Sequence, residues 1–219
     1  MIIGTFGRLG TGKTLSGVIE AYRDYLLGKT IFSNIPLKFS HVPIREPRDF
    51  IKIRNGFCLA DEIWSLVDNR RSMSKLNDIM TLISIRSDKQ GFDIFYTQQY
   101  LQVDPRLRFI TNYWIEPKTF DKFGRVCSRE NRFIPEFLLQ KVRDGDWNIF
   151  PDRYVQCRRF IDLYDTRDDP YTLRASLTDK AMQEAFDEAL KEEPSLESDM
   201  KEIKEKAQKS DKGKRREKL

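Results

Sequence analysis

The sequence has few of the residues that build disulfide frameworks, histidine sites or membrane spans. Its three cysteines, Cys58, Cys127 and Cys157, are widely spaced and odd in number, which argues against a disulfide scaffold or a zinc site. His41 is the only histidine, so a histidine metal centre or catalytic triad is not expected. The apolar runs, such as "IIGTF" and "GFCLA", are far too short to span a bilayer. No signal-peptide pattern opens the chain, and we expect a cytoplasmic protein.

The composition is that of a globular chain with one core. The sequence has 219 residues, of which 33% are charged and 39% hydrophobic, which excludes a disordered or membrane protein. The formal net charge is +5, which is compatible with a polyanionic partner but modest for a DNA-binding protein.

A glycine-rich stretch near the start, "GTFGRLGTGKTLSG" at residues 4–17, fits the pattern G-x-x-x-x-G-K-[ST] without a mismatch. An apolar strand is predicted before it, at Met1–Phe6, and an amphipathic helix after it, at Leu15–Leu27. This context favours a phosphate-binding loop over a turn that matches by chance. In such a loop Lys13 reaches the β- and γ-phosphates of ATP, and the Thr14 hydroxyl ligates Mg²⁺. The predicted nucleotide-binding residues are Gly7, Arg8, Leu9, Gly10, Thr11, Gly12, Lys13, Thr14 and Leu15.

A second motif is the acid pair Asp61-Glu62, which follows the apolar run 57–60. The ends of parallel strands gather at one edge of an α/β sheet, so a buried strand would bring both carboxylates to the loop. Asp61 is then expected to hold Mg²⁺ opposite Thr14, and Glu62 to act as the base that activates water. The alternative is an ordinary strand end.

A third motif is the polar end of the predicted strand at 92–99. Thr97 and Gln98 close an otherwise apolar stretch. The Gln98 amide is predicted to bridge the attacking water and the γ-phosphate, and the alternative is a solvated strand end.

Strands and helices alternate along the first half of the chain. Strands are predicted at 30–35, 56–60, 92–99 and 109–117, and further helices at 50–54 and 72–86. This alternation predicts an α/β protein with a mostly parallel central sheet flanked by helices. Beyond residue 120 the pattern weakens. It suggests strands at 124–135 and 153–166, a helix at 178–208 and a solvated basic tail at 209–219.

Three segments together resemble the FtsK/HerA superfamily of DNA-pumping ATPases. They are "GRLGTGKT", "FCLADEIW" and "IRSDKQGFDIFYTQQYLQVDPRLRFITNYWI", and the resemblance covers residues 1–117. The short length and "FSNIPL" are similar to viral members, which include genome-packaging ATPases and the Zot-like ATPases of filamentous phages. The chain lacks the membrane segment that Zot-like proteins usually carry, which favours the packaging branch.

The resemblance implies a RecA-like P-loop NTPase at residues 1–177, followed by a charged helix and basic tail at 178–219. It implies hydrolysis of ATP with Mg²⁺ by a homo-oligomeric ring, expected to be a hexamer, that translocates double-stranded DNA into a capsid. Expected partners are DNA and a capsid or portal protein, in the host cytoplasm without direct membrane insertion. The alternatives are a Zot-like ATPase that acts on single-stranded DNA during virion extrusion, and a nucleotide switch without mechanical work.

Such rings use an arginine that reaches the γ-phosphate of the neighbouring subunit, because a guanidinium is permanently charged and matches phosphate oxygens. Arg86 is the favoured candidate and Arg129 the second. The other candidates are Arg70, Arg71, Arg106 and Arg108. The basic stretch 69–75 is one candidate for a DNA-contacting pore loop.

Overall fold

The computed structural model describes residues 1–45, 49–50, 52–62, 82, 85–87, 89–98, 109–128, 130–131, 133–165, 179–192 and 195–216. The strands described are β1 Ile2–Phe6, β2 Thr30–Ser33, β3 Val42–Pro43, β4 Gly56–Ala60, β5 Asp93–Gln98, β6 Tyr113–Phe120, β7 Phe137–Asp144 and β8 Arg153–Gln156. The helices, in chain order, are α1 Lys13–Leu26, α2 Arg158–Ile161, α3 Asp179–Glu192 and α4 Ser195–Arg216.

Within these residues the eight strands form one sheet in the order β3-β2-β4-β5-β1-β6-β7-β8. The strands from β3 to β6 are mutually parallel, and β7 and β8 extend the sheet with antiparallel pairs. The strand that leads into the glycine-rich loop, β1, lies between β5 and β6. The predicted α/β class, a RecA-like P-loop fold with a mostly parallel sheet, is confirmed.

Helix α1 covers one face of the sheet and fixes where the loop lies. Its apolar stripe, which includes Leu15, Val18 and Ile19, is buried against side chains of β4 and β5. Gly17 permits the close approach, because a Cβ at this position would lie 2.5 Å from Leu59 Cδ1. The other face of the sheet packs a second cluster that includes Tyr96 and Trp114. Both faces are therefore buried, as the continuous apolar runs of the parallel strands predict.

The strands and the helix α1 predicted for the first half of the chain are present with small shifts of boundary. The helix predicted at 50–54 is wrong, because only residues 49–50 are helical and 52–54 form a turn and irregular chain. The predictions beyond residue 108 also need correction. Residues 109–110 are helical, so the strand predicted at 109–117 begins only at Tyr113. The predicted strand at 124–135 is wrong, because Val126 makes only an isolated bridge, to Phe120. The strand that exists, β7, was missed. Only its first half is buried, and its charged second half lacks the alternation typical of a strand.

The predictions for the C-terminal part are also partly wrong. The strand expected at 153–166 ends at Gln156, and the chain then turns into the short helix α2. The predicted helix 178–208 is present as two helices, α3 and α4. Helix α4 continues to Arg216, so most of the predicted tail is helical. Most of the predicted helix 72–86 lies outside the described residues.

The two C-terminal helices pack on the helical segment that precedes β5. Leu196 and Met200 of α4 form a buried cluster with Leu82 and Ile85. None of the helices in the described part of the chain has the length and apolar character needed to cross a membrane.

Candidate nucleotide-binding site

The glycine-rich loop joins β1 to α1 at the carboxyl edge of the parallel strands. Gly12 precedes the first helical residue with a φ of 96°, a left-handed conformation that favours glycine. No side chain caps this helix end, and the first turn contains no acidic residue. The first N–H groups of α1 are thus available to an anion, and the helix dipole favours a negative charge there.

Lys13 lies inside the loop. Its ammonium donates to the carbonyl oxygens of Gly7 and Arg8, at 3.1 and 3.0 Å. Burial lowers the pKa of Lys13, while the nearby carboxylates of Glu62 and Asp61 act in the opposite direction. The geometry thus centres one positive charge within the loop, beside the helix end. This is the arrangement expected of a lysine that contacts phosphate oxygens.

The predicted metal ligands meet as expected. The Thr14 hydroxyl, at the start of α1, lies 3.1 and 3.0 Å from the two carboxylate oxygens of Asp61, which follows β4. A hydroxyl and a carboxylate are hard oxygen donors, and Mg²⁺ typically binds one or two protein oxygens together with waters and phosphates. These two residues therefore fit Mg²⁺. No cluster of three or more acidic, histidine or cysteine ligands occurs among the described residues.

Asp61 is buried among polar groups that hold it in place. Thr97, from β5, donates a hydrogen bond from its hydroxyl to the Asp61 carboxylate at 2.7 Å. Burial raises the pKa of Asp61 to about 6, while the hydrogen bonds from Thr97 and Thr14 lower it. A cation at this position would offset the cost of burying the negative charge.

Glu62 has an unusual backbone. Its φ is 42°, which is uncommon for a residue with a side chain. Its N–H donates to the Thr97 hydroxyl at 2.8 Å, so the same threonine contacts both members of the acid pair. The hydrogen bond helps to hold Glu62 in this strained conformation, and such conformations occur often at functional sites.

Asn34 is a site residue that the sequence analysis missed. It follows β2, is buried, and exchanges two hydrogen bonds with the backbone of Asp61. Its amide donates to the Asp61 carbonyl and its oxygen accepts from the Asp61 N–H, both at 2.7 Å. Its position just after a parallel strand was the available signal, since such residues meet at one edge of the sheet.

Thr97 and Gln98 do not act as one unit, because successive strand residues face opposite sides of the sheet. Thr97 faces α1 and Asp61, whereas Gln98 points to the opposite side of the sheet, as Tyr96 does. Gln98 lies beside Phe6, the last residue of β1, and is only 3% exposed. Its amide nitrogen makes no hydrogen bond within the described part of the chain. Gln98 is thus next to the loop, and its role toward water and phosphate stays a prediction.

Arg86 lies in a position that argues against a role across a subunit boundary. The residue is 1% exposed, and its guanidinium pairs with Glu192 of α3 at 2.9 Å. An arginine that reaches a neighbouring subunit has to be exposed, whereas Arg86 is buried with an ion pair inside its own chain. Its role toward a neighbouring subunit stays a prediction. The candidates Arg70, Arg71, Arg106, Arg108 and Arg129 and the basic stretch 69–75 lie outside the described residues.

The other predicted loop residues lie between β1 and α1 as expected. Arg8, Leu9 and Gly10 are exposed, and Thr11 donates from its hydroxyl to the Arg8 carbonyl at 2.9 Å. The Leu15 side chain belongs to the core under α1, so only its backbone N–H is suited to a nucleotide.

No family model matches the chain, and no curated protein matches it either. Among solved structures it is similar to the N-terminal domain of zonular occludens toxin from Neisseria meningitidis, with 19% identity, coverage of 75% of this chain and 98% of the other, and a TM-score of 0.45. It is also similar to the genome packaging NTPase B204 from Sulfolobus turreted icosahedral virus 2, with 13% identity, 68% and 94% coverage and a TM-score of 0.42.

A third similar structure is the flagellar accessory protein FlaH from Methanocaldococcus jannaschii, with 12% identity, 71% and 84% coverage and a TM-score of 0.47. These likenesses are distant, and the fold assignment rests on the strand order and the loop geometry.

Proposed function

We propose that the chain is an ATPase that hydrolyses ATP with Mg²⁺ and uses the energy to translocate double-stranded DNA into a viral capsid. The observation that carries the ATPase proposal is the meeting of Thr14 with Asp61, directly beside Lys13 and Glu62. It unites a phosphate-binding loop, two oxygen ligands for Mg²⁺ and a carboxylate base at one edge of the sheet.

Each residue of this group has a chemical task. The N–H groups at the start of α1 and the Lys13 ammonium bind the phosphates and stabilise the charge that develops on them. Thr14 and Asp61 would hold Mg²⁺, which when bound neutralises phosphate charge. Glu62 accepts a proton from the attacking water. Thr97 orients the acid pair, since it bonds the Asp61 carboxylate and the Glu62 N–H.

The DNA part of the proposal is supported by the resemblance of residues 1–117 to DNA-pumping ATPases and by the net charge of +5. It includes assembly into a ring, expected to be a hexamer, and contact with a capsid or portal protein. DNA would be bound mainly through its phosphates, and therefore with little sequence preference.

The test is the ATPase rate of the wild type without DNA and with double- or single-stranded DNA. We expect hydrolysis that double-stranded DNA stimulates. Stimulation by single strands alone would favour the Zot-like alternative, and hydrolysis without stimulation by either DNA would favour a nucleotide switch. A wild type that neither binds nor hydrolyses ATP would contradict the whole proposal.

The variant Lys13→Ala ties the activity to the loop. We expect kcat to fall by at least roughly 10²-fold and ATP binding to weaken, because a buried positive charge that contacts the phosphates is lost. The matched control is Lys141→Ala on β7, which removes a lysine from the antiparallel part of the sheet and is expected to leave the rate unchanged. Equal rates for both variants would mean that the glycine-rich stretch is only a turn.

A further inference from the structure

The chain after β6 folds back along the edge of β6 that faces β1. Strand β6 pairs with β1 only at Tyr113–Ile115, whereas β7 pairs along its whole other edge. At the end of β6 the Phe120 carbonyl accepts from Glu136, on the β7 side. The preceding carbonyl, of Thr119, accepts from the Cys127 N–H at 2.8 Å. Successive carbonyls of a strand point to opposite edges, so residues 126–127 lie on the β1 side, where the loop begins.

Contacts between β6 and the loop support this placement. A Cβ on Gly12 would lie 2.7 Å from Thr119 Cγ2 and 3.2 Å from Leu138 Cδ1. The Thr119 hydroxyl is 3.5 Å from the Gly10 carbonyl oxygen. The segment 121–127, which we call the β6 turn, therefore starts two residues after a side chain that touches the loop.

The β6 turn is held in shape by Asp121. The Asp121 carboxylate accepts hydrogen bonds from the backbone N–H groups of Phe123 and Arg125 at 2.9 Å, and pairs with the Arg125 guanidinium at 2.7 Å. The turn presents an aromatic ring, since Phe123 is 70% exposed. Two cations lie near this ring, with Lys122 Nζ at 4.9 Å and the Arg125 guanidinium carbon at 5.2 Å from its centroid.

The site described above sets the direction in which a nucleotide would lie. The metal ligand Asp61 and the base Glu62 follow β4, so they mark the γ-phosphate end on one side of β1. The α-phosphate, sugar and base then leave the loop on the other side, which is the side of β6. The β6 turn lies on that side and carries the more exposed of the aromatic rings near the end of β6, since Phe123 is 70% exposed and Phe137, opposite Phe120, is 42% exposed.

We propose that the β6 turn is the base-binding element of the nucleotide site, with Phe123 stacking on the purine. Arg125 acts as a positioning residue, because it is fixed by Asp121 and lies over the rings of both Phe123 and Phe133. Stacking on one ring tolerates different bases, so the turn is expected to accept both ATP and GTP. This inference rests on the proposed ATPase function.

The test compares the affinities of ATP, GTP and inorganic tripolyphosphate, measured by calorimetry on the full chain. Loss of one stacking ring typically weakens binding of a base by about 5- to 100-fold. For Phe123→Ala we expect the Kd values of ATP and GTP to rise by this amount, while the Kd of tripolyphosphate is unchanged. Phe123→Tyr should restore nucleotide binding, because its ring can stack in the same way.

The matched control is Phe109→Ala, since Phe109 is also exposed, at 46%, but lies at the opposite edge of the sheet, before β6. It is expected to bind all three ligands like the wild type. Unchanged ATP affinity in Phe123→Ala would overturn the inference. This holds even if the variant lost DNA binding or self-association, because Phe123 would then serve another contact. A wild type that binds neither ATP nor tripolyphosphate would overturn the proposed function itself, so the two failures are distinguishable.

Discussion

The parallel part of the sheet consists of strands β1 to β6, and its antiparallel extension consists of β7 and β8. The two parts differ in burial and in the side chains at their strand ends. Every residue of β4 is buried, whereas three of the four residues of β8 are exposed. The ends of the parallel strands present Asn34, Asp61 and Thr97, which bond one another in the interior. Chemistry that needs fixed geometry thus lies where buried partners hold each polar group, whereas β8, the outer strand of the antiparallel extension, presents side chains to solvent.

Removing the general base Glu62 should give the largest difference in kcat between a variant in the parallel part and its control in the antiparallel part. Glu62→Gln keeps the shape of the side chain but cannot accept a proton, so we expect kcat to fall on the order of 10² to 10⁴-fold while ATP still binds. The control is Glu136→Gln, beside β7, which should leave kcat unchanged. If Glu62→Gln hydrolysed ATP at an undiminished rate under single-turnover conditions, another group would have to be the general base, and Asp61 would be the next candidate.

Asn34→Ala tests whether the buried contacts at the strand ends matter for both stability and rate. The change leaves the buried N–H and carbonyl of Asp61 unpaired, and each such group costs about 1–3 kcal/mol of the free energy of unfolding. We expect a lower urea midpoint and, in the folded protein, a lower kcat.

The matched control for Asn34 is Asn112→Ala. Asn112 accepts a hydrogen bond from the Ile2 N–H at 2.7 Å, at the opposite edge of the sheet. Its loss should lower stability but spare kcat. If both asparagine variants lost activity equally, Asn34 would act only through stability.

Arg86→Met distinguishes a packing role from a role across a subunit boundary. The change removes a buried charge with little loss of volume, and we expect a loss of stability of about 1–3 kcal/mol with kcat of the folded protein near that of the wild type. Glu192→Gln should be destabilised in the same way.

A different result would restore the trans-acting assignment of Arg86. It would consist of a fall in kcat of ~10³ to 10⁵ at unaltered stability, together with recovery of activity when Arg86→Met and Glu62→Gln subunits are mixed. Recovery requires that some interfaces combine an intact Glu62 with an intact Arg86 from the neighbouring subunit.

The smallest effect is expected at the outer edge of the antiparallel extension. Tyr154 on β8 is 73% exposed, so Tyr154→Ser should change the free energy of unfolding by no more than about 0.5 kcal/mol and leave kcat unchanged. Thermal unfolding and the ATPase rate check both statements. A marked loss of activity would show that this edge takes part in the function after all.

Local sequence was sufficient for the elements that carry the loop. The strand before Gly7, the loop and the helix after Lys13 are contiguous, so their apolar periodicity and glycine spacing predict the fold directly. The approach of Asp61 to Thr14 was also predictable, although 47 residues separate them, because parallel strands present their carboxyl ends at one edge. The antiparallel strand β7 was not predictable, since only its first half is buried.

The contacts that orient the acid pair depend on which strands become neighbours and which face each residue takes. Asn34 reaches Asp61 because β2 lies beside β4, and Thr97 reaches it because β5 lies on the other side of β4. The local sequence alone determined the glycine-rich loop and the residues that carry its chemistry. Strand order, side-chain direction and the burial of Arg86 arise from packing between distant segments, which composition and local pattern do not encode.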